Sequence, residues 1–151
     1  MTIMRKLYVS SLLIGAMYLI AGIVAIVNWS SMLLGIEPIL SIGYIPPDAG
    51  FALVMITIGI TMIAAAYFRD NIAKCLACAL VGSGLGIASA FIQIAVTLAV
   101  GLDVIITWEE GDVLGTIFDV LREGIIRADV VLGLPALVLF MMSYRALKRL
   151  L

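Results

Sequence analysis

A chain of 151 residues that is 64% hydrophobic and 13% charged, with a mean hydropathy of +1.25, has too few charges to solvate its apolar side chains, which excludes an ordinary water-soluble domain. Histidine is absent, which removes bis-histidine haem ligation, histidine zinc sites and serine-histidine catalysis. The formal net charge of −1 conceals a segregation: of nine basic residues, all but Arg122 and Arg127 fall in three clusters, Arg5 with Lys6, Arg69 with Lys74, and Arg145 with Lys148 and Arg149, each abutting a long apolar segment.

The first uncharged run extends from Leu7 to Ile36. It is read as a retained span, about Leu7 to Trp29, and not as a cleaved secretory signal, because the apolar stretch is long and lacks a clear small-residue cleavage pattern. A loop follows with Gly35, Pro38, Gly43 and the Pro46-Pro47 pair, in which Met32, Leu33, Leu34 and Ile39 are apolar enough to skim the interface. The prolines forbid a continuous helix there. Span two runs from about Ala49 to Phe68 and turns back through Arg69, Asp70 and Asn71. So short a turn makes spans two and three adjacent and antiparallel.

Span three starts at Cys75, and as an unbroken helix to Trp108 it would measure about 50 Å, against a hydrocarbon core of about 30 Å. Either it protrudes or it breaks near Gly101 and Asp103, with Asp103 at the headgroups. Small residues recur every four positions at Cys78, Gly82, Gly86 and Ala90, a ridge that lets another backbone approach closely. Its expected uses are packing within the monomer and a seam for assembly. Ser11, Gly15 and Gly22 repeat the device in span one, as does Gly59 in span two. On span three, Ser89, Gln93 and Thr97 align at four-residue spacing. The Gln93 amide needs partners, and interhelical hydrogen bonds are expected ahead of a solute path. Thr57 and Thr61 are expected to bond to carbonyls one turn earlier.

Val113, Leu114, Ile117, Phe118, Leu121, Ile125 and Ile126 recur at helical spacing, with Asp112, Thr116, Asp119, Arg122 and Glu123 over much of the other face, so this segment predicts an amphipathic helix. Asp119 and Glu123, like charges four apart, gain nothing from each other without Arg122, Arg127, a cation or a partner, and are read as a solvated face, while Glu109, Glu110 and Asp112 lack the calcium-loop spacing that metal binding would need. The last uncharged run, Val130 to Tyr144, is short, and the reading extends it upstream through Ile125 and Ile126 with Arg127 snorkelling at the edge. Pro135 should kink or loosen this span. Three spans with a re-entrant or interfacial C-terminal segment is the competing arrangement.

With four spans, the three basic clusters share one side, and positive-inside makes that side cytoplasmic. All the acids but Asp70 lie on the other. Tyr8, Tyr67 and Tyr144 fall beside the basic clusters and Trp29 and Trp108 at the opposite ends of spans one and three, as two aromatic belts require.

Cys75-Leu76-Ala77-Cys78 is a C-x-x-C, similar to the pairs used by membrane thiol oxidoreductases of the vitamin K epoxide reductase type. Those carry a second cysteine pair for electron relay, which two cysteines cannot supply. On the cytoplasmic side a persistent disulfide is not expected, so the pair is read as packing. In size and four-span plan the chain also resembles the small multidrug-resistance proteins. They depend on a glutamate in the first helix, and span one here holds no acid or base. No phosphate loop or dinucleotide fingerprint is present.

The expectation is therefore an all-α membrane protein, one domain over residues 1–151: a four-transmembrane-helix bundle with an outer amphipathic helix between spans three and four. It is placed in the cell membrane as a multi-pass protein with cytoplasmic N- and C-termini. No catalytic, cofactor-binding or metal residue is assigned and no cofactor is implied. The expected role is a noncatalytic accessory or scaffolding subunit acting through helix-helix association, with a homo-oligomeric channel or facilitative transporter for a small solute or cation as the alternative. Its partners are membrane lipids and copies of itself or a larger membrane complex. Nucleic acid is not among them, since topology already accounts for the small basic clusters.

Overall fold

The computed structural model describes residues 2–37, 45–107 and 113–149. Trp108, Glu109, Glu110 and Asp112, with Pro38, Ile39 and Gly43, lie outside the described residues. Five helices follow in chain order: α1 (Thr2–Leu33), α2 (Ala49–Tyr67), α3 (Ile72–Ile106), α4 (Val113–Ile126) and α5 (Ala128–Lys148). No strand occurs among the described residues. Four helices, α1 from Met4 onward, α2, α3 and α5, are long and apolar enough to cross a membrane.

Local chemistry sets their ends. α1 runs past the expected Trp29 through Met32 and Leu33, then stops where Gly35 takes φ +71°. The Ile36 amide there bonds back to the Ser31 carbonyl and the Gly35 amide to that of Met32, both at 3.0 Å, the paired bonds of a Schellman terminus. α2 follows Pro46-Pro47 and is capped by Asp48, whose carboxylate accepts from the Phe51 amide at 2.6 Å. Asn71 caps α3 in the same way, accepting from the Lys74 amide at 3.1 Å.

α3 does not break at Gly101 or Asp103; it continues for 35 residues, with Asp103 exposed. At about 1.5 Å per residue it is about 52 Å long, while the 19 residues of α2 and 21 of α5 reach about 28 and 32 Å. The last spanning helix also differs from expectation. Ile125 and Ile126 close α4, Arg127 is extended at φ −58° and ψ 143°, and α5 gains its length downstream through Arg145 and Lys148. These two cations occupy its last turn, where the helix dipole favours them. α5 continues through Pro135.

α1 packs on α2, α2 on α3, α3 on α5 and α5 on α1, while α4 lies along α3 and touches α5. One apolar core joins the four longer helices, with Tyr18, Leu7, Met55, Ile58, Met62 and Leu139 among its fully buried members. Glycines set the closest crossings. A methyl group on Gly15 would fall 2.9 Å from the Gly59 carbonyl oxygen, and one on Gly59 would fall 2.8 Å from that of Gly15. The ridge on α3 is used inside the chain: Gly82 faces the Met62 backbone, Gly86 faces Tyr18 and Ala136, and Ala90 faces Gly133. Cys75 is buried and Cys78 half-buried, both as free thiols.

Candidate functional site

Most buried hydroxyls are satisfied locally. Ser83 and Ser143 donate to carbonyls one turn earlier at 2.5 and 2.8 Å, and Ser11 donates across to the Met62 carbonyl of α2 at 2.6 Å. Thr57 and Thr61 bond to the Leu53 and Thr57 carbonyls as expected. Tyr18 is the exception, fully buried with a hydroxyl that has no hydrogen-bond partner.

The polar groups that reach open space gather at the end formed by the starts of α2 and α5 and the middle of α3. Arg127, between α4 and α5, lays its guanidinium 5.2 Å from the centre of the Phe51 ring, a cation–π distance. Its Nε lies 3.5 Å from Asp129 Oδ2 and makes no hydrogen bond. Asp129 is buried in the first turn of α5, where the dipole favours an acid, and its Oδ1 accepts from the Val130 amide at 3.1 Å. The extended Arg127 backbone makes this possible by ending α4 and letting its side chain reach the α2 start.

Two cavities open beside these groups. One of about 470 Å³ lies between α3 and α4, lined by Val96, Thr97, Val100, Val120, Glu123 and Gly124 together with Ile45 and Pro46. The other, about 530 Å³, runs down between α2 and α3 past Leu53, Val54, Thr57, Leu85, Ala88, Ser89 and Ile92, with Asp48, Phe51 and Asp129 at its head. Gln93 and Arg127 line both. The Gln93 amide donates to Thr97 Oγ1 at 3.4 Å on the same helix, where an interhelical bond was expected. The Ser89, Gln93 and Thr97 row therefore faces the cavities.

Among the described residues no group of three or more cysteine and acidic side chains could hold a metal ion. Asp119 and Glu123 stay exposed on α4, and Arg127 pairs with Asp129 instead of either. Sequence reasoning missed the Arg127, Asp129 and Phe51 constellation. Its one readable trace was an Arg-x-Asp at the head of an apolar run. In class, this is an all-helical chain with four helices suited to crossing a membrane. No family model, curated protein or solved structure gives a significant match to it.

Proposed function

We propose that this chain is a noncatalytic accessory or scaffolding subunit of the cell membrane that works by helix-helix association. In this reading α1, α2, α3 and α5 form a transmembrane bundle, both termini are cytoplasmic, and α4 is an amphipathic helix on the outer side. The observation that carries it is the excess length of α3. Beyond the level reached by α2 and α5, α3 and α4 present Leu98, Leu102, Ile106, Leu114 and Phe118 outward, from 55% to 80% exposed. Apolar surface beyond the hydrocarbon core calls for a protein partner. The small-residue ridge is occupied within the chain, so the associating surface in this proposal is that flank.

Native mass spectrometry from lipid discs tests it. The expected result is a mass above one copy, falling to the monomer in Leu98→Ala/Leu102→Ala/Ile106→Ala with helicity unchanged. A monomer with no co-purifying subunit in the wild type overturns the reading. A second reading, a homo-oligomeric channel or facilitative transporter for a small solute or cation, draws on Gln93 lining both cavities. It requires solute flux through reconstituted protein that changes with Gln93→Leu.

A further inference from the structure

The geometry points to the groove between α2 and α3 as a binding site for a zwitterionic glycerophospholipid with a primary ammonium in its headgroup, the phosphate at Arg127 and the ammonium at Asp48. It rests on the membrane placement proposed above and not on the accessory role.

Depth is the first argument. α2 and α5 are each close to the thickness of a bilayer core, about 30 Å, so their first residues lie where hydrocarbon gives way to headgroups. Asp48 and Arg127 each sit one residue before such a start. Below them the groove walls are apolar and open sideways to lipid, with Leu53, Val54, Leu85 and Ile92 all exposed. Between Asp48 and Ile58 the groove follows α2 for about 15 Å, room for much of an acyl chain.

Charge is the second. Arg127 has five N–H donors, and Asp129 lies beside Nε. A guanidinium so placed is suited to a phosphate, which it holds by charge-assisted, often paired hydrogen bonds. Asp48 is exposed at the mouth, with one oxygen on the Phe51 amide and acceptor capacity to spare. An ammonium two carbons beyond the phosphate meets that carboxylate, whereas an anionic headgroup meets Asp48 and Asp129 with no second cation lining the groove. A quaternary ammonium has no N–H to donate.

The test is lipid retention by the purified full chain in mild detergent, read by native mass spectrometry after exposure to equal amounts of phosphatidylethanolamine, phosphatidylcholine and phosphatidylglycerol. Wild type is expected to retain phosphatidylethanolamine about tenfold over the others, the factor that one charge-assisted hydrogen bond supplies. Asp48→Ser keeps the helix cap, removes the charge and should abolish the preference over phosphatidylcholine. Arg127→Gln should lose all three lipids together, and Arg122→Gln, which lines neither cavity, should change nothing. Equal retention of the three lipids by wild type overturns the site without recourse to any variant. So does unchanged selectivity in Asp48→Ser. Copy number in the same spectra reports separately on the accessory role.

Discussion

At Gly15 and Gly59 each backbone occupies the space that a side chain on the other would need, and the obstruction is carbonyl and amide, which cannot rotate away. Gly84, half-buried on α3, differs: a methyl there meets only Phe140 Cε2, at 3.9 Å. Gly59→Ala should therefore lower stability in detergent by about 1–3 kcal/mol, as overpacking does. Gly84→Ala should be neutral within about 0.5 kcal/mol. Denaturant titration of both variants checks the contrast, and equal loss in the two would show that helix spacing is not set at the Gly15–Gly59 crossing. The four-residue repeat of small residues on α3 was legible in the sequence as a demand for close approach. The neighbour that answers it was not, because Met62, Tyr18 and Gly133 belong to three other helices.

Helices are legible in this chain where caps and hydropathy agree. Pro46-Pro47 and the Arg69-Asp70-Asn71 turn bound the apolar runs in sequence, and the structure uses Asp48 and Asn71 there as caps, starting α3 at Ile72, ahead of the expected Cys75. Asn71→Ala should cost about 1 kcal/mol, and Asn71→Asp should retain most of that. Amide exchange at Lys74, faster in the first variant and unchanged in the second, reads the effect locally; no change in Asn71→Ala would assign the α3 start to packing alone. The break at Arg127 was not legible. Ile125 and Ile126 continue the apolar pattern toward span four, so hydropathy joins what the backbone separates. What favours the break is partly long-range: an extended Arg127 reaches Phe51 of α2 as well as Asp129 two residues on, and the Phe51 contact is invisible to any window of sequence around Arg127. The same holds for the groove, whose walls come from α2 and α3 and whose head adds α5.

For the whole molecule the proposal turns on direction across the bilayer: the sequence supplies the count of basic residues, and the structure shows which helix ends lie together. The positive-inside rule counts basic residues near span ends and weighs acids little. Arg5, Lys6, Arg69, Lys74, Arg145, Lys148 and Arg149 all remain exposed, so none is withdrawn from that count by burial. The hydrogen bond from the Tyr8 hydroxyl to the Arg69 carbonyl, at 3.1 Å, fixes the start of α1 beside the α2–α3 turn, so two clusters occupy the same end of the fold. α5 is antiparallel to α3, since Gly86 meets Ala136 while Ala90 meets Gly133, and this brings its C-terminal cluster to that end as well. A membrane-impermeant thiol reagent on single cysteines, in a Cys75→Ala/Cys78→Ala background, makes the orientation measurable. Asp119→Cys, exposed on α4, should label in intact cells, and Asp70→Cys, exposed in the turn, only after permeabilisation. The opposite pattern would invert the molecule. Replacing Arg5, Lys6, Arg69 and Lys74 by glutamine should then yield a mixed population labelled at both positions, because only the C-terminal cluster would still resist translocation.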